Sequence, residues 1–309
     1  MNFEYWYMLP ISTLIASVAM ASGVEGGTFF GPIFMLGIGL PAEVAVGTAL
    51  ITEVFGFSSG VIAYSRKKLI DYKLGVSLLI ATIPAAIVGT WLAGLVSADI
   101  LKIVFAVGLL LIAVNFLLSG NHSEVINTQE TDLVIETEDN SQDNSRNNSL
   151  DKDNQTTLIA SNGESYQYKI PNKTKGKLIA GIGAIFLGLL STGLGEVNGF
   201  YLLKGCRIPS KIAVATNVFV VAITALVASL GHFIHFATEG GDALKQVLGI
   251  VTFTAPGVII GGQLGAYISS QISQNTLEKS LAVLFTLVAT VMLGEYFISN
   301  PVLISNAGI

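Results

Sequence analysis

The sequence predicts an all-α polytopic membrane protein made of two inverted-topology repeats, each a re-entrant hairpin of two half-helices followed by three transmembrane helices. Three observations carry that expectation. The 309 residues are 51% hydrophobic and only 12% charged, with a mean hydropathy of +0.67, whereas soluble domains carry about 25% charged residues. Two glycine-rich stretches, Gly23-Val-Glu-Gly-Gly27 and Thr192-Gly-Leu-Gly-Glu-Val-Asn-Gly199, interrupt long apolar runs. The pattern also repeats: Pro41, Ala45, Val46 and Thr48 match Pro209, Ala213, Val214 and Thr216 at one offset, and Pro84, Ile87, Gly89 and Leu92 match Pro256, Ile259, Gly261 and Leu264 at another.

Taken in order, residues 8–21 are apolar but short of the roughly 20 residues a span needs. No Lys or Arg precedes them, so they lack a signal peptide's basic region and are expected to be retained. Residues 29–36 are again short, and the two segments read as the first hairpin. Pro41, tolerated in a first turn, opens a run to Tyr64 that the basic cluster Arg66, Lys67, Lys68 and Lys73 closes. Residues 74–96 and 100–118 follow as two more spans and end the first repeat, 1–118. Residues 119–176 are rich in Asn, Asp, Ser, Glu and Gln and lack sustained periodicity, which predicts a disordered linker. Asn121, Asn147, Asn154 and Asn172 there head N-x-S/T triplets, a pattern chance produces readily in an Asn-rich loop. The second repeat, 177–309, has short segments at 177–191 and 200–203, then spans at 212–236, 244–269 and 277–298.

Charge sets the orientation. A hairpin plus three crossings per half inverts the second half. With both termini outside, Arg66 to Lys73, Lys204, Arg207, Lys211, Lys279 and, at the linker's end, Lys169, Lys173, Lys175 and Lys177 fall inside, leaving Lys102 and Lys245 at outer ends. That arrangement predicts a multi-pass plasma-membrane protein with a cytoplasmic linker. The net charge of −5 identifies no partner, because the acidic residues concentrate in the linker, and no nucleic acid is expected. Cys206 is the only cysteine, which excludes an internal disulfide and a cysteine metal cluster and reads as a small packing residue.

The order of glycine break, Gly39-Leu-Pro41, Val46-Gly-Thr48, basic loop and the span of Ile83-Pro-Ala-Ala-Ile-Val-Gly89, with its second copy, resembles the TauE/SafE family of sulfite exporters and related sulfonate permeases. The resemblance covers both membrane halves and excludes the linker. It implies export or uptake of sulfite, thiosulfate, sulfonates or similar sulfur-containing anions across the bilayer, without ATP. The family's break is roughly G-x-G-G-G. Here Glu25 replaces a glycine in the first copy and Glu196 in the second, a departure that bears on specificity and not on fold.

The residues themselves suggest the chemistry. A break inside a membrane frees backbone groups, and it is tolerated where protein buries it or water reaches it. Half-helices restarting near Gly26 and near Asn198 would aim free N–H groups at the midplane, which favours an anion. Gly23, Gly26, Gly27, Gly193, Gly195, Asn198 and Gly199 are therefore the candidate backbone contacts, with close helix packing the competing role. Thr48, Thr216 and Asn217 could donate to anion oxygens; the competing role for the threonines is a bond back to their own helix. Glu25, Glu53 and Glu196 are candidates for proton coupling, Glu196 first, because a charged carboxylate at mid-membrane costs at least ~2.5 kcal/mol. Neutral structural acids are the alternative. His232 and His235 stand three residues apart without a third ligand, so they read as interfacial anchors. Trp6, Tyr5, Tyr7 and Trp91 read as headgroup-level aromatics. No metal, cofactor or catalytic constellation is expected; a homo-oligomer is left open. The competing functions are a proton-coupled carrier of a cation or carboxylate, and an intramembrane enzyme using Glu25 and Glu196.

Overall fold

The structure, a computed structural model, describes residues 3–22, 24–119, 155–239, 242–268, 282–283 and 285–294. Gly23, Asn121, Asn147, Asn154 and Lys279 lie outside them. The first half contains α1 (Met8–Ser22), α2 (Gly27–Pro32), α3 (Ala42–Arg66), α4 (Tyr72–Ala93) and α5 (Ala98–Ser119). A hairpin follows, β1 (Gln155–Ile159) and β2 (Ser165–Lys169). The second half contains α6 (Lys173–Leu190), α7 (Leu194–Phe200), α8 (Ser210–Glu239), α9 (Asp242–Ile268) and α10 (Phe285–Gly294). Among the described residues, α3, α4, α8 and α9 are long and apolar enough to cross a membrane. Among the described residues the chain is thus an all-α polytopic membrane protein apart from one hairpin.

Local chemistry explains how helices this apolar keep their polar atoms satisfied. In α1, Ser12 and Thr13 donate to the Leu9 carbonyl at 3.0 and 2.9 Å, and Ser17 to that of Thr13 at 2.7 Å. At 15 residues, α1 rises only about 22 Å, short of a hydrocarbon core of about 30 Å.

The two halves share fine backbone detail. α2 and α7 each run into a π-helical turn, Ile33–Gly37 and Tyr201–Gly205. Each turn closes with the same bond, Ile38 N–H to the Ile33 carbonyl at 3.1 Å and Cys206 N–H to that of Tyr201 at 2.9 Å. A positive φ follows in both, 78° at Gly39 and 52° at Arg207. All of these fall at the offset that pairs Pro41 with Pro209. Both prolines then accept the first helical bond of the next helix, from Ala45 and Ala213, each at 2.9 Å.

Packing interleaves the halves. α1 lies chiefly on α9 and α6 chiefly on α4, while α3 packs on α8 and α9 and α8 on α4. Thr52 and Thr254 join α3 to α9 at 2.9 Å, and Thr82 and Thr224 join α4 to α8 at 2.8 Å. The boundaries at 118 and 177 therefore divide the sequence and not the core. Gly257, Gly261 and Gly265 form one stripe of α9 and let the α1 backbone approach closely. A Cβ on Gly261 would stand 2.4 Å from the Thr13 carbonyl oxygen, whereas one on Gly108 meets nothing within 4 Å. Gly261→Ala is expected to cost about 1–3 kcal/mol and to lower the melting midpoint in detergent. Gly108→Ala should not lower it.

The linker expectation needs correction at its C-terminal end. The strands are rich in β-branched and aromatic residues, Gln-Thr-Thr-Leu-Ile and Ser-Tyr-Gln-Tyr-Lys, joined by a turn with Gly163 at φ 88°. Averaging over the polar segment hides this local pattern. The hairpin docks through buried Ala160, Tyr168 and Ile170. Tyr168 donates to Asp71 Oδ2 at 2.6 Å, and Asp71 Oδ1 caps α4 by accepting from Leu74 N–H at 2.9 Å. Burial first, then the Asp71 carboxylate, pushes Tyr168 above the usual tyrosine range, so it remains a donor. Glu164, in the turn, is lowered to about 2 by donors from Tyr166, Asn162 and Lys211. α6 starts at Lys173, earlier than expected, because the Asn172 side chain accepts from Lys175 N–H at 3.0 Å as its N-cap.

Candidate functional site

The two glycine breaks meet each other. At the first, Gly27 N–H donates to Glu53 Oε1, and Glu53 Oε2 accepts from Ser191 Oγ of the second break at 3.3 Å. At the second, Gly195 N–H donates to Glu25 Oε1 at 2.7 Å. Glu196 Oε2 accepts from Gly193 N–H at 3.0 Å, and its Oε1 from Glu25 N–H at 3.2 Å. The hydroxyls of Thr28 and Thr192 lie 2.6 Å apart, and 3.0 and 3.4 Å from Glu196 Oε1. Glycine is required at the contact, since a Cβ on Gly27 would stand 1.8 Å from the Ser191 carbonyl oxygen.

Gly27 and Gly195 stand at the offset that pairs Pro41 with Pro209, each in the first turn of its short helix, where N–H groups lack intrahelical partners. Each of these N–H groups receives a carboxylate of the protein, from non-equivalent sources: Glu53 of α3 for Gly27 and Glu25 of the opposite break for Gly195. Glu25 and Glu53 are 0% and 3% exposed, and Glu196 is half-buried. Among the described residues no Lys or Arg is buried. Among the described residues, N–H and hydroxyl donors are what these acids accept from. The donors are unevenly shared, because Glu25 Oε2 is buried without a hydrogen-bond partner among the described residues, as is Asn198 Oδ1.

The remaining candidates are distributed as follows. Gly26 lies beside Glu53, 3.4 Å from its Oε1 to a Cβ built on the glycine. Gly26, Glu53, Phe30, Gly56 and Val258 line a cavity of about 20 Å³, room for about one water. Asn198 Nδ2 donates to Asn217 Oδ1 at 2.7 Å, and Asn217 Nδ2 to the Gly195 carbonyl at 2.8 Å, which braces the second break. Gly199 packs beneath Asn217. The threonines are engaged elsewhere. Thr48 bonds back to the Val44 carbonyl at 2.6 Å, and Thr216 Oγ1 accepts from Asp71 N–H at 2.9 Å. α7 restarts at Leu194 and not near Asn198, because Gly193 at φ 115° turns the chain directly into the helix.

His232 departs from the interfacial reading. His232 is buried and donates from Nε2 to the Gly188 carbonyl at 3.0 Å, whereas His235 Nε2 lies 2.8 Å from Glu43 Oε1. Both rings lie against Phe236, with centroids 6.1 and 6.3 Å from its own. Ser191, Thr28 and Thr192 were absent from the sequence-derived candidates. A hydroxyl residue adjoining a glycine break, as in Gly27-Thr28 and Ser191-Thr192-Gly193, was the available signal.

Apolar helices with two interruptions define a polytopic membrane protein. The profile of the sulfite exporter TauE/SafE family matches residues 8–292. The chain belongs to the TauE/SafE family of membrane transporters. It is similar to "Probable membrane transporter protein YunE" of Bacillus subtilis (strain 168), 23% identical over 295 residues that cover 93% of this chain and 97% of the relative. No solved structure matches it significantly.

Proposed function

We propose that the protein is a secondary transporter, exporter or permease, of small sulfur-containing anions such as sulfite, thiosulfate or organosulfonates. Protons moving through Glu25, Glu53 and Glu196, and not ATP, drive it. The observation that carries this reading is the pair of equivalent N–H groups, on Gly27 and Gly195, each closed by a buried carboxylate. A substrate anion reaching either position must displace an acid already there. A displaced carboxylate without a buried base beside it is neutralised by taking up a proton. Anion entry and proton uptake are thereby one event. The matched π turns and exchanged helix packing support an inverted repeat, a build in which substrate sites sit where broken helices meet. The basic residues at one end support the orientation with both termini outside.

The second reading, a proton-coupled carrier of a cation or carboxylate, draws on the same absence of a buried Lys or Arg beside the acids among the described residues. Proteoliposome flux separates the two. Sulfite, thiosulfate, sulfonates and carboxylates are tested at two pH values, each with its sodium and potassium salts. Saturable flux of a sulfur anion that changes with pH and not with the cation is expected. Cation flux without sulfur-anion flux would select the second reading.

A further inference from the structure

The docked hairpin touches both halves of the protein at the end that carries the basic residues. On the first half, Ser161 N–H donates to the Lys67 carbonyl at 3.0 Å and Tyr168 to Asp71 at 2.6 Å. On the second half, Lys211 Nζ pairs with Glu164 at 3.2 Å and stands 5.9 Å from the centre of the Tyr166 ring. Asp71 extends the chain across the interface, since its N–H donates to Thr216 of α8 at 2.9 Å. Just beyond β2, the Asn172 carbonyl accepts from Tyr201 at 2.9 Å, below the second break. The segment thus bridges the α3–α4 loop to the start of α8, elements that belong to different halves.

We propose that the 155–169 hairpin is a strap that holds the basic ends of the two halves together and must release before that side of the transport path opens. Its purpose rests on the transport reading; its geometry does not. Tyr168 and Asp71 are each 6% exposed, and a buried hydroxyl-to-carboxylate bond is stronger than a neutral one. The Glu164–Lys211 pair is about half exposed on both sides, so it adjusts the strap weakly. Tyr168 is the anchor and Glu164–Lys211 the trim.

Cys206 supplies a readout independent of transport. It is the only cysteine of the chain, 5% exposed, and precedes α8 by four residues at the same end. The full-length protein in nanodiscs, with both faces reachable, is labelled with a membrane-impermeant maleimide and the rate at Cys206 is measured. Tyr168→Phe, which keeps the ring and its packing, is expected to raise the rate about tenfold. Glu164→Lys and Lys211→Glu should each raise it about twofold, and the double exchange should restore the wild-type rate. Wild-type labelling in Tyr168→Phe, or a double exchange as fast as the singles, overturns the strap. Flux is measured in parallel. Faster labelling in a protein that moves no sulfur anion would reject the transport reading and leave the strap standing, whereas sulfur-anion flux with unchanged labelling would reject the strap alone.

Discussion

Gly27→Ala is expected to abolish both anion flux and a monodisperse fold in detergent. The new Cβ would stand 1.8 Å from the Ser191 carbonyl oxygen and 2.1 Å from its Oγ. A backbone oxygen cannot rotate away, so the two breaks must separate. Separation removes the Gly27 and Ser191 donors from Glu53 and leaves a buried carboxylate short of partners. Overpacking at about 1–3 kcal/mol and buried polar groups left unsatisfied at about 1–3 kcal/mol for each of the two lost bonds are together comparable to a typical total stability of about 5–15 kcal/mol. Gly195→Ala is the informative contrast. Its Cβ meets Glu25 Cγ at 2.7 Å, a side chain that can swing aside at the expense of its bond to Gly195 N–H. That variant should fold and show altered flux. A Gly27→Ala protein with a wild-type melting midpoint would rule out this account of the contact.

Glu25→Gln is expected to fold and to lose the pH dependence of transport. Glu25 accepts through Oε1, and its Oε2 is buried without a hydrogen-bond partner among the described residues. An amide keeps the accepting oxygen, fills the same volume and cannot titrate. Glu196 is placed differently. Four donors lie within 3.4 Å of its two oxygens, and three donate at once when Thr28 and Thr192 bond each other. An amide nitrogen there would face N–H or hydroxyl donors, so Glu196→Gln should cost stability more than coupling. Donor geometry therefore favours Glu25 over Glu196 for the proposed coupling role. The check is a pair of pH profiles with paired melting midpoints. A flat profile in Glu196→Gln at unchanged midpoint, with Glu25→Gln behaving as wild type, would return the role to Glu196.

Much of this was readable along the chain, since it depends on neighbours in sequence. An apolar run long enough to span announces a membrane helix, as residues 42–66 and 210–239 do. Clustered glycine announces an interruption, whereas the two π turns at the offset pairing Pro41 with Pro209 were not foreseen. The hairpin was missed because two five-residue strands were averaged into a long polar segment. Thr48 and Thr216 were legible as polar residues near helix starts, but not the bonds they make.

The sequence by itself determined that the protein is membrane-embedded, carries matching motifs in its two halves, is broken twice by glycine and is acidic at the breaks. All of these follow from local composition and periodicity. Only the tertiary structure decided that the breaks touch, and that their free N–H groups are already filled by carboxylates. The reason is distance along the chain. A break shows that an N–H is unpaired locally, while the groups that meet it come from far away: Glu196 contacts Glu25 across 171 positions, Gly195 contacts Glu25 across 170, and Ser191 contacts Glu53 across 138. No local rule encodes such pairings; they arise when α1 crosses to α9 and α6 to α4, bringing the two interruptions together.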